Sequence, residues 1–346
     1  MKPTFRQLRN AAILLICLLG GAAVIRTSTP APFMEHVTPK LEHLRANGEA
    51  YDVLFVGSSR VYRQVMPRVF DRRLRHRGVE LRSFNAGIPA AKSVEVWHFM
   101  RLLAEAGVRA RYVLVEPDGL FMSIHGENLG TQREVYWHEG PETALAIRSL
   151  EGQDTWLRLR MTGLHLGAFA GNRLGVGRLR LLGSDLISAG GRPRSAGRGL
   201  GPGTDGWAGF KGGEDAPAYP RRREFLDNLP AYRELIAEQP RLLSRTGCAT
   251  PYHDEMLLTL AAAAEALGGE PVFILSPATR PRCEVHDAYR RGLLPSLLAF
   301  DDARIHPRLY EVANRFDAEH LNTDGAVIYS RLLADAFAEQ LGEDGP

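Results

Sequence analysis

The feature that most constrains this 346-residue chain is a repeated order of short apolar runs and longer helical patterns. A continuous apolar run bounded by turn residues is typical of a strand buried on both faces. Strands that alternate with helices predict a parallel sheet with crossover helices. Segments of this kind stand at 53–57, 79–87, 111–119 and 271–277 (strands), and at 67–77, 93–107, 253–269 and 324–342 (helices). We therefore predict a three-layer α/β/α sandwich around a parallel sheet of about five strands, with a short fifth strand within 303–310 and a helix over 286–300.

The alternation lapses between about residues 120 and 247. There Arg, Gly and aromatic residues mix without a clear period, and the stretch 188–220 is rich in Gly and Pro. A segment of that length inside a compact domain is usually a lid, a binding loop or disordered chain. We predict that residues 51–346 form one α/β domain, interrupted by an insertion at about 120–247 that is part helical and is mobile over 188–220.

The N-terminal segment has a one-sided charge pattern. Lys2, Arg6 and Arg9 precede fifteen uncharged residues, 11–25, and Arg26 follows them. This length is shared by secretory signals and short anchors, because a full membrane span usually needs about 17–25 apolar residues.

Basic residues before the apolar segment favour an inside N-terminus and an exported remainder. We predict that residues 1–26 are a single-pass anchor in a bacterial cytoplasmic membrane and that 27–50 are a stalk. The folded domain would then lie on the periplasmic side. Cleavage within 29–33 is the alternative.

The net charge and the cysteines bear on the kind of partner and on the cellular compartment. The net charge of +3 is small for this length, and the Arg residues are scattered beside acidic ones, which argues against a nucleic-acid partner. Cys17 lies in the apolar segment, so Cys248 and Cys283 remain for the exported part. In an oxidising compartment those two could pair, but spacing alone is equally compatible with two free thiols.

Polar residues with catalytic potential stand at two places where the predicted fold reaches the carboxyl edge of its sheet. Gly57-Ser58-Ser59 follows the first strand, and Asp317 and His320 precede the last helix. A serine hydroxyl becomes a nucleophile when a base takes its proton and an acid orients that base. The alternatives are local: a strand-to-loop turn around the serines and a solvated turn before the helix.

These two segments together resemble the SGNH/GDSL hydrolase superfamily, through VGSSR after the first strand and DAEHLNTDG before the last helix. More specifically they resemble its membrane-anchored, exported branch, with the D-alanyl transfer proteins of teichoic acids and the alginate O-acetylation proteins. The resemblance covers roughly 51–119 and 271–341. It implies a flavodoxin-like strand order, with Ser59 rather than Ser58 as nucleophile, His320 as base and Asp317 as acid.

The resemblance also implies an oxyanion hole. Its donors would be the backbone N–H groups of Ser59 and Gly87, with the side chain of Asn85 as a third. The family block after the third strand usually supplies an Asn, and here VEPDG has none. Losing one such donor typically costs about 100- to 1,000-fold in rate. For both Asn85 and Gly87, a purely local role in their own loop is an equal alternative.

Three charged residues near the serine are candidate substrate contacts: Arg60, Glu116 and Asp118. A salt bridge for the arginine and solvation for the two carboxylates are the alternatives. The histidines outside the pre-helix turn are scattered, so no metal site is predicted, and no cofactor is expected.

The predicted function is serine-dependent acyl-ester chemistry on an envelope polysaccharide or related polymer, either O-acyl transfer or deacylation. For transfer, the resemblance implies a multispanning membrane acyltransferase as partner. A non-catalytic envelope binding or assembly factor is the main alternative. A nucleotide-binding flavodoxin-like domain ranks last, because GSSRVYRQ lacks the Gly-rich cradle and Lys of a P-loop.

Overall fold

The computed structural model describes residues 4–28, 33–120, 124–175, 197–210 and 217–343. The chain divides into two compact units. One, called here the helical unit, joins Met1–Met34 with Ile124–Ser195. The other, called the α/β unit, joins Glu35–Ser123 with Ala196–Pro346. The predicted insertion is therefore shared between the two units.

The sheet of the α/β unit has five parallel strands in the order β2-β1-β3-β4-β5, which confirms the predicted fold class and strand order. The first three strands fall within their predicted segments, and the fourth begins one residue before its segment. The strands are β1 (Val53–Val56), β2 (Ser83–Asn85), β3 (Tyr112–Val115), β4 (Glu270–Leu275) and β5 (Leu297–Ala299).

The α-helices lie in both units, and short 3-10 turns add to them at Gly48–Ala50, Gly126–Asn128, Pro307–Tyr310 and Val312–Asn314. In chain order the described helices are α1 (Phe5–Ser28), α2 (Thr38–Asn47), α3 (Ser59–Gln64), α4 (Pro67–His76), α5 (Ser93–Glu105), α6 (Gln132–Tyr136), α7 (Gly140–Arg148), α8 (Thr155–Arg173), α9 (Gly197–Leu200), α10 (Tyr219–Asp227), α11 (Leu229–Leu243), α12 (Pro251–Ala266), α13 (Cys283–Arg290) and α14 (Thr323–Glu343).

Helices cover both faces of the sheet, which explains why its central strands are apolar throughout. On one face Phe55 of β1 meets Phe70 of α4 edge to face at 4.9 Å, and Phe337 of α14 packs on Tyr112 of β3. On the other face, α5 and α12 pack against each other, and α12 packs on β3 and β4. This arrangement leaves the carboxyl ends of the strands as the edge where polar side chains gather.

The fifth strand lies earlier in the chain than predicted. Residues 303–310 contain the 3-10 turn Pro307–Tyr310, and the strand is Leu297–Ala299, inside the segment predicted as a helix. A three-residue apolar run at the edge of a sheet has too few positions to show a period of two, so it resembles the end of a helix.

The predicted stalk also needs correction. Residues Thr38–Asn47 form α2, in which Lys40 and Leu44 are fully buried against the α/β unit. The folded part therefore begins well before Tyr51. Residues 197–210, within the stretch predicted to be mobile, are packed as well: the Asn85 N–H donates to the Asp205 carbonyl at the open edge of β2. The rest of 188–220 is described only from 217 onward.

In the helical unit, α1 is the one helix among the described residues that is long and apolar enough to cross a membrane. It extends beyond the fifteen uncharged residues at both ends, so its 24 residues span about 36 Å. In the α/β unit Cys248 and Cys283 form a disulfide, which resolves the open question of their pairing. An N-terminal apolar helix together with a disulfide suggests a secreted or membrane-anchored protein.

Candidate active site

Helix α3 begins immediately after β1, at the carboxyl edge of the sheet, and a glycine makes this sharp junction possible. A Cβ atom on Gly57 would lie 2.6 Å from Val61 Cγ2 and 2.7 Å from Glu116 Cβ. No real Cβ approaches neighbours so closely, so any larger residue would force α3 and β3 apart. Because glycine has no side chain, the two following serines can lie close against the end of the sheet.

The two adjacent serines have different environments. Ser58 caps α3: its Oγ accepts from the Arg60 N–H at 3.2 Å and donates to Glu116 Oε2 at 2.7 Å. Its backbone N–H donates to the same carboxylate oxygen. Ser59 is the first residue of the helix, and its Oγ lies 2.8 Å from His320 Nε2. The hydrogen bonds of Ser58 thus go to the start of α3 and to Glu116, whereas Ser59 is the serine that faces His320.

Asp317 and His320 lie on a turn that the aspartate itself organises. Asp317 Oδ1 accepts the backbone N–H groups of Glu319 and His320, each at 2.8 Å. The same carboxylate lies 3.0 and 3.2 Å from His320 Nδ1. This local hydrogen bonding explains the Asp-x-x-His spacing, because it turns the ring so that Nδ1 faces the acid and Nε2 faces Ser59.

The acid of this turn is held in its ionised form. Burial alone would raise the pKa of Asp317. The hydrogen bond and charge of His320, together with the charge of Arg221, outweigh burial and hold that pKa well below its usual range. An ionised carboxylate on Nδ1 fixes the neutral imidazole with its proton on Nδ1, which leaves Nε2 free to accept one.

Two arginines that the sequence patterns did not single out hold the backbone of this turn. Arg315 is fully buried, and its guanidinium donates to the carbonyls of Asp317 and Ala318. Arg222, on α10, donates to the Arg315 carbonyl at 2.6 Å. The position of the acid and the base is therefore set by contacts that reach outside the turn itself.

Two further residues of the predicted insertion touch the acid and the base directly. Arg221 of α10 donates to Asp317 Oδ2 at 2.6 Å and lies 3.3 Å from His320 Nδ1. Phe210 stacks on Phe316 and presents its ring edge-on to His320 at 5.3 Å between centroids. The aromatic side chain shields one side of the imidazole, and the arginine adds a positive charge on the far side of the acid.

A second charged cluster lies beside Ser59 and contains all three predicted substrate contacts. Asp118 receives Arg60 at 3.1 Å, Lys92 at 3.2 Å and also Arg282. Arg60 also binds Glu319 Oε2 at 2.9 Å. We call these residues, together with Glu116, the Asp118 cluster.

The Asp118 cluster is internally paired. Burial would raise the pKa of Asp118, but Arg60, Arg282 and Lys92 outweigh it and hold that pKa well below its usual range. The second carboxylate, Glu116, is occupied by Ser58. The alternatives given for these residues fit their contacts in part: Arg60 does form salt bridges, and they are partly buried.

The hydrogen bonds around Asn85 and Gly87 bear on the predicted oxyanion hole. The Asn85 amide donates to the Val61 and Val65 carbonyls, both at 2.7 Å, and its Oδ1 accepts the Gly87 N–H at 3.0 Å. The Asn85 side chain and the Gly87 N–H therefore already have hydrogen-bond partners, in each other and at α3. Their oxyanion role remains a prediction that these contacts do not support.

The third predicted oxyanion donor has a different setting. The Ser59 N–H is the first of α3, and within the described ranges it has no hydrogen-bond partner. It is therefore the remaining backbone donor, of those predicted, that a developing oxyanion could use.

Lys40 of α2 supports the loop behind the serines. Its Nζ donates to the carbonyls of Asn85, Gly87 and Gly206 at 2.7–3.0 Å, which matches the three N–H bonds of an ammonium group. Burial lowers the pKa of Lys40 well below its ordinary value, against the favourable charge of Asp205. Nothing in a predicted stalk could have indicated this role, because the contact joins residues far apart in the chain.

Comparison with known proteins adds no family assignment: no protein-family model matches the chain, and no curated protein matches it in sequence. The candidate site is therefore defined by its geometry alone. It consists of a five-strand parallel α/β fold whose carboxyl edge carries a serine, a histidine and an aspartate in hydrogen-bond contact.

Proposed function

We propose that this protein carries out serine-dependent acyl-ester chemistry, with Ser59 as nucleophile, His320 as general base and Asp317 as the acid that orients it. The observation that carries the proposal is the continuous contact from Ser59 Oγ to His320 Nε2, 2.8 Å, and from Nδ1 to Asp317, 3.0 Å. Both distances lie within the range that proton transfer and orientation require.

In the proposed reaction, Ser59 Oγ attacks the acyl carbonyl while its proton passes to His320 Nε2. The carbonyl oxygen becomes an oxyanion, which the Ser59 N–H can stabilise. When the tetrahedral intermediate collapses, the bond to the leaving alcohol breaks and the alkoxide takes the proton from His320. The acyl-enzyme is then resolved in the same way, by water in hydrolysis or by a second hydroxyl in transfer.

The proposed substrate is an acylated cell-envelope polysaccharide or a related polymer. Two observations support this setting: the apolar N-terminal helix α1, and the disulfide between Cys248 and Cys283. The resemblance of the two catalytic segments to the exported SGNH/GDSL branch supports the ester chemistry. For transfer rather than hydrolysis, the same resemblance calls for a multispanning membrane acyltransferase that delivers the acyl group.

A second candidate is a non-catalytic envelope binding or assembly factor with the same fold. The specific observation in its favour is that Asn85 and Gly87 bond to each other, while the segment after β3 holds paired carboxylates instead of an amide. A site with one backbone donor would stabilise an oxyanion poorly, because each lost donor typically costs about 100- to 1,000-fold in rate.

Labelling of the full-length chain in detergent with a fluorophosphonate probe separates these candidates, because the probe forms a stable phosphonyl ester only with an activated serine. We expect wild type to label on the peptide containing Ser59, and Ser59→Ala and His320→Ala to lose labelling. Ser58→Ala is the matched control, one residue away and expected to label. Folded wild type that does not label would favour the binding factor instead.

A further inference from the structure

Helix α8 of the helical unit carries an uncharged stripe that is exposed among the described residues. Its members recur at intervals of three and four residues, the spacing of one helix face. Trp156 is 80% exposed, Leu159 60% and Leu166 52%. Gly163 and Ala170 complete the stripe and are exposed as well. We call these five residues the α8 stripe.

The opposite face of α8 is the one that packs within the helical unit. His165 and Ala168 are buried there, and His165 Nδ1 lies 2.8 Å from His138 Nε2. Asn172 donates to the carbonyls of Val135 and Tyr136, at the end of α6. The α8 stripe is therefore not an unfinished core contact: the helix already has a buried face, and the stripe lies on the other side.

The position of α8 relative to α1 indicates what the stripe meets. Gly175 lies two residues after α8, and a Cβ atom built on it would lie 3.2 Å from Ile25 Cγ2 and 3.9 Å from Arg26 Cγ. The end of α8 thus rests against the C-terminal end of α1, where the apolar segment stops. If α1 crosses a membrane, that end lies at the membrane surface, and the C-terminal end of α8 lies there with it.

The charges beside the stripe fit a lipid surface. At about 3.6 residues per turn, Arg160 and Arg173 fall on either side of the stripe, and both are exposed. Trp and Leu on one face with Arg at its borders is the pattern of helices that lie in the headgroup region of a bilayer. Basic residues close to a membrane surface are attracted to anionic lipid headgroups.

We propose that α8 lies in the lipid headgroup region next to the exit of α1, with the α8 stripe in contact with acyl chains and with Arg160 and Arg173 on anionic headgroups. This surface is independent of the proposed ester chemistry. It gives the helical unit a second, peripheral contact with the bilayer in addition to the α1 helix.

The test uses the full-length chain, with Cys17→Ser to remove the one unpaired cysteine among the described residues. Single cysteines replace Leu159, Leu166 or Arg158, and each carries a bimane label. Arg158 is the matched control, because it is exposed in the same turn as Leu159 but lies well away from the stripe. The labelled proteins are reconstituted in phosphatidylcholine vesicles with and without phosphatidylglycerol, and lipids brominated on the acyl chain serve as quenchers.

We expect bromolipid quenching at Leu159 and Leu166 to exceed that at Arg158 by about twofold or more, as for a face buried about 5–10 Å into the bilayer boundary. Quenching at these two positions should also increase when phosphatidylglycerol is present. Equal, weak quenching at all three positions with full access to aqueous iodide would overturn the proposal. Shielding of Leu159 and Leu166 from both iodide and bromolipid would also overturn it, and would identify a protein on the stripe; Gly163 and Gly167 would suit a close helix partner of that kind.

Discussion

Two buried carboxylates lie at the carboxyl edge of the same sheet, and their partners differ. Asp317 bonds to His320, which continues to Ser59, whereas Asp118 bonds to Arg60, Lys92 and Arg282. The hydrogen bond and charge of His320, with the charge of Arg221, hold the pKa of Asp317 below its usual range against the cost of burial. The charges of the three cations around Asp118 do the same for its pKa.

The difference between the two lies in what their partners can do. Imidazole gains and loses a proton near neutral pH, whereas guanidinium and ammonium groups stay protonated there. We therefore expect the partners of Asp317 to allow proton transfer and the partners of Asp118 to stabilise the fold.

The largest expected effect is on activity, and it tests whether the two carboxylates have different roles. Asp317→Ala should lower the rate of fluorophosphonate labelling by about 10,000-fold, because His320 loses both its orientation and the charge that stabilises its protonated form. Asp118→Ala, measured under conditions where it remains folded, should lower that rate by less than tenfold. Similar losses in the two variants would mean that the Asp118 cluster takes part in the chemistry.

The second prediction concerns the contribution of the Asp118 cluster to stability. Asp118→Ala leaves three buried or partly buried cations without their shared carboxylate, and should lower the free energy of unfolding by about 3–5 kcal/mol. Urea unfolding followed by circular dichroism measures it. Glu339→Ala is the control, since Glu339 pairs with Arg77 on the surface and should change stability by less than about 1 kcal/mol. A small effect at both positions would contradict a structural role for Asp118.

The third prediction uses the pH dependence of that stability. The pKa of Asp118 is lower in the folded chain than in the unfolded one, so its stabilisation is complete above the unfolded pKa of about 4. It is lost as pH falls below that value, through the folded pKa. Wild type should therefore lose stability between about pH 5 and pH 3 more steeply than Asp118→Asn, in urea titrations at each pH. Parallel slopes would show that the carboxyl is not held ionised.

How much of the structure could be predicted from the sequence depends on how many neighbouring residues each pattern covers. The central strands and their helices were predictable because burial repeats within each segment, as in β1 and α14. The meeting of the serine turn with Asp317 and His320 was predictable because each segment lies where the fold must reach the sheet edge, whereas the choice of Ser59 over Ser58 came from the resemblance. Short elements without a period, such as β5, were not.

Long-range partners were the other part that the patterns could not predict. Lys40, Phe210 and Arg221 reach the site from segments far from it in the chain, and nothing in their own neighbourhood marks them. Asn85 shows the related limit: an amide suits an oxyanion or a backbone equally in sequence, and only the position of α3 determines which partner it meets.

The smallest expected effect concerns Arg221. This arginine binds Asp317, so Asp317 also has a cationic partner of the kind that surrounds Asp118. Its cation lies 3.3 Å from His320 Nδ1 and opposes a second positive charge on the ring. The other charged groups near the ring are Asp317 itself, Glu319 and Arg60 on the side of Ser59, and Arg63 beside Phe210. Removing Arg221 therefore takes a hydrogen bond and a nearby cation away from the carboxylate that contacts His320.

Arg221→Gln should lower the rate of fluorophosphonate labelling by about two- to threefold, a modest loss because the arginine is half exposed and its charge is screened. The matched control is Arg221→Lys, which keeps the charge and should leave the rate within about 1.5-fold of wild type. An equal loss in both variants would assign Arg221 to the packing of α10 rather than to the electrostatics of Asp317. A loss in the glutamine variant alone would show that a cation beside Asp317 assists the proposed base, which is a different use of the kind of ion pair that surrounds Asp118.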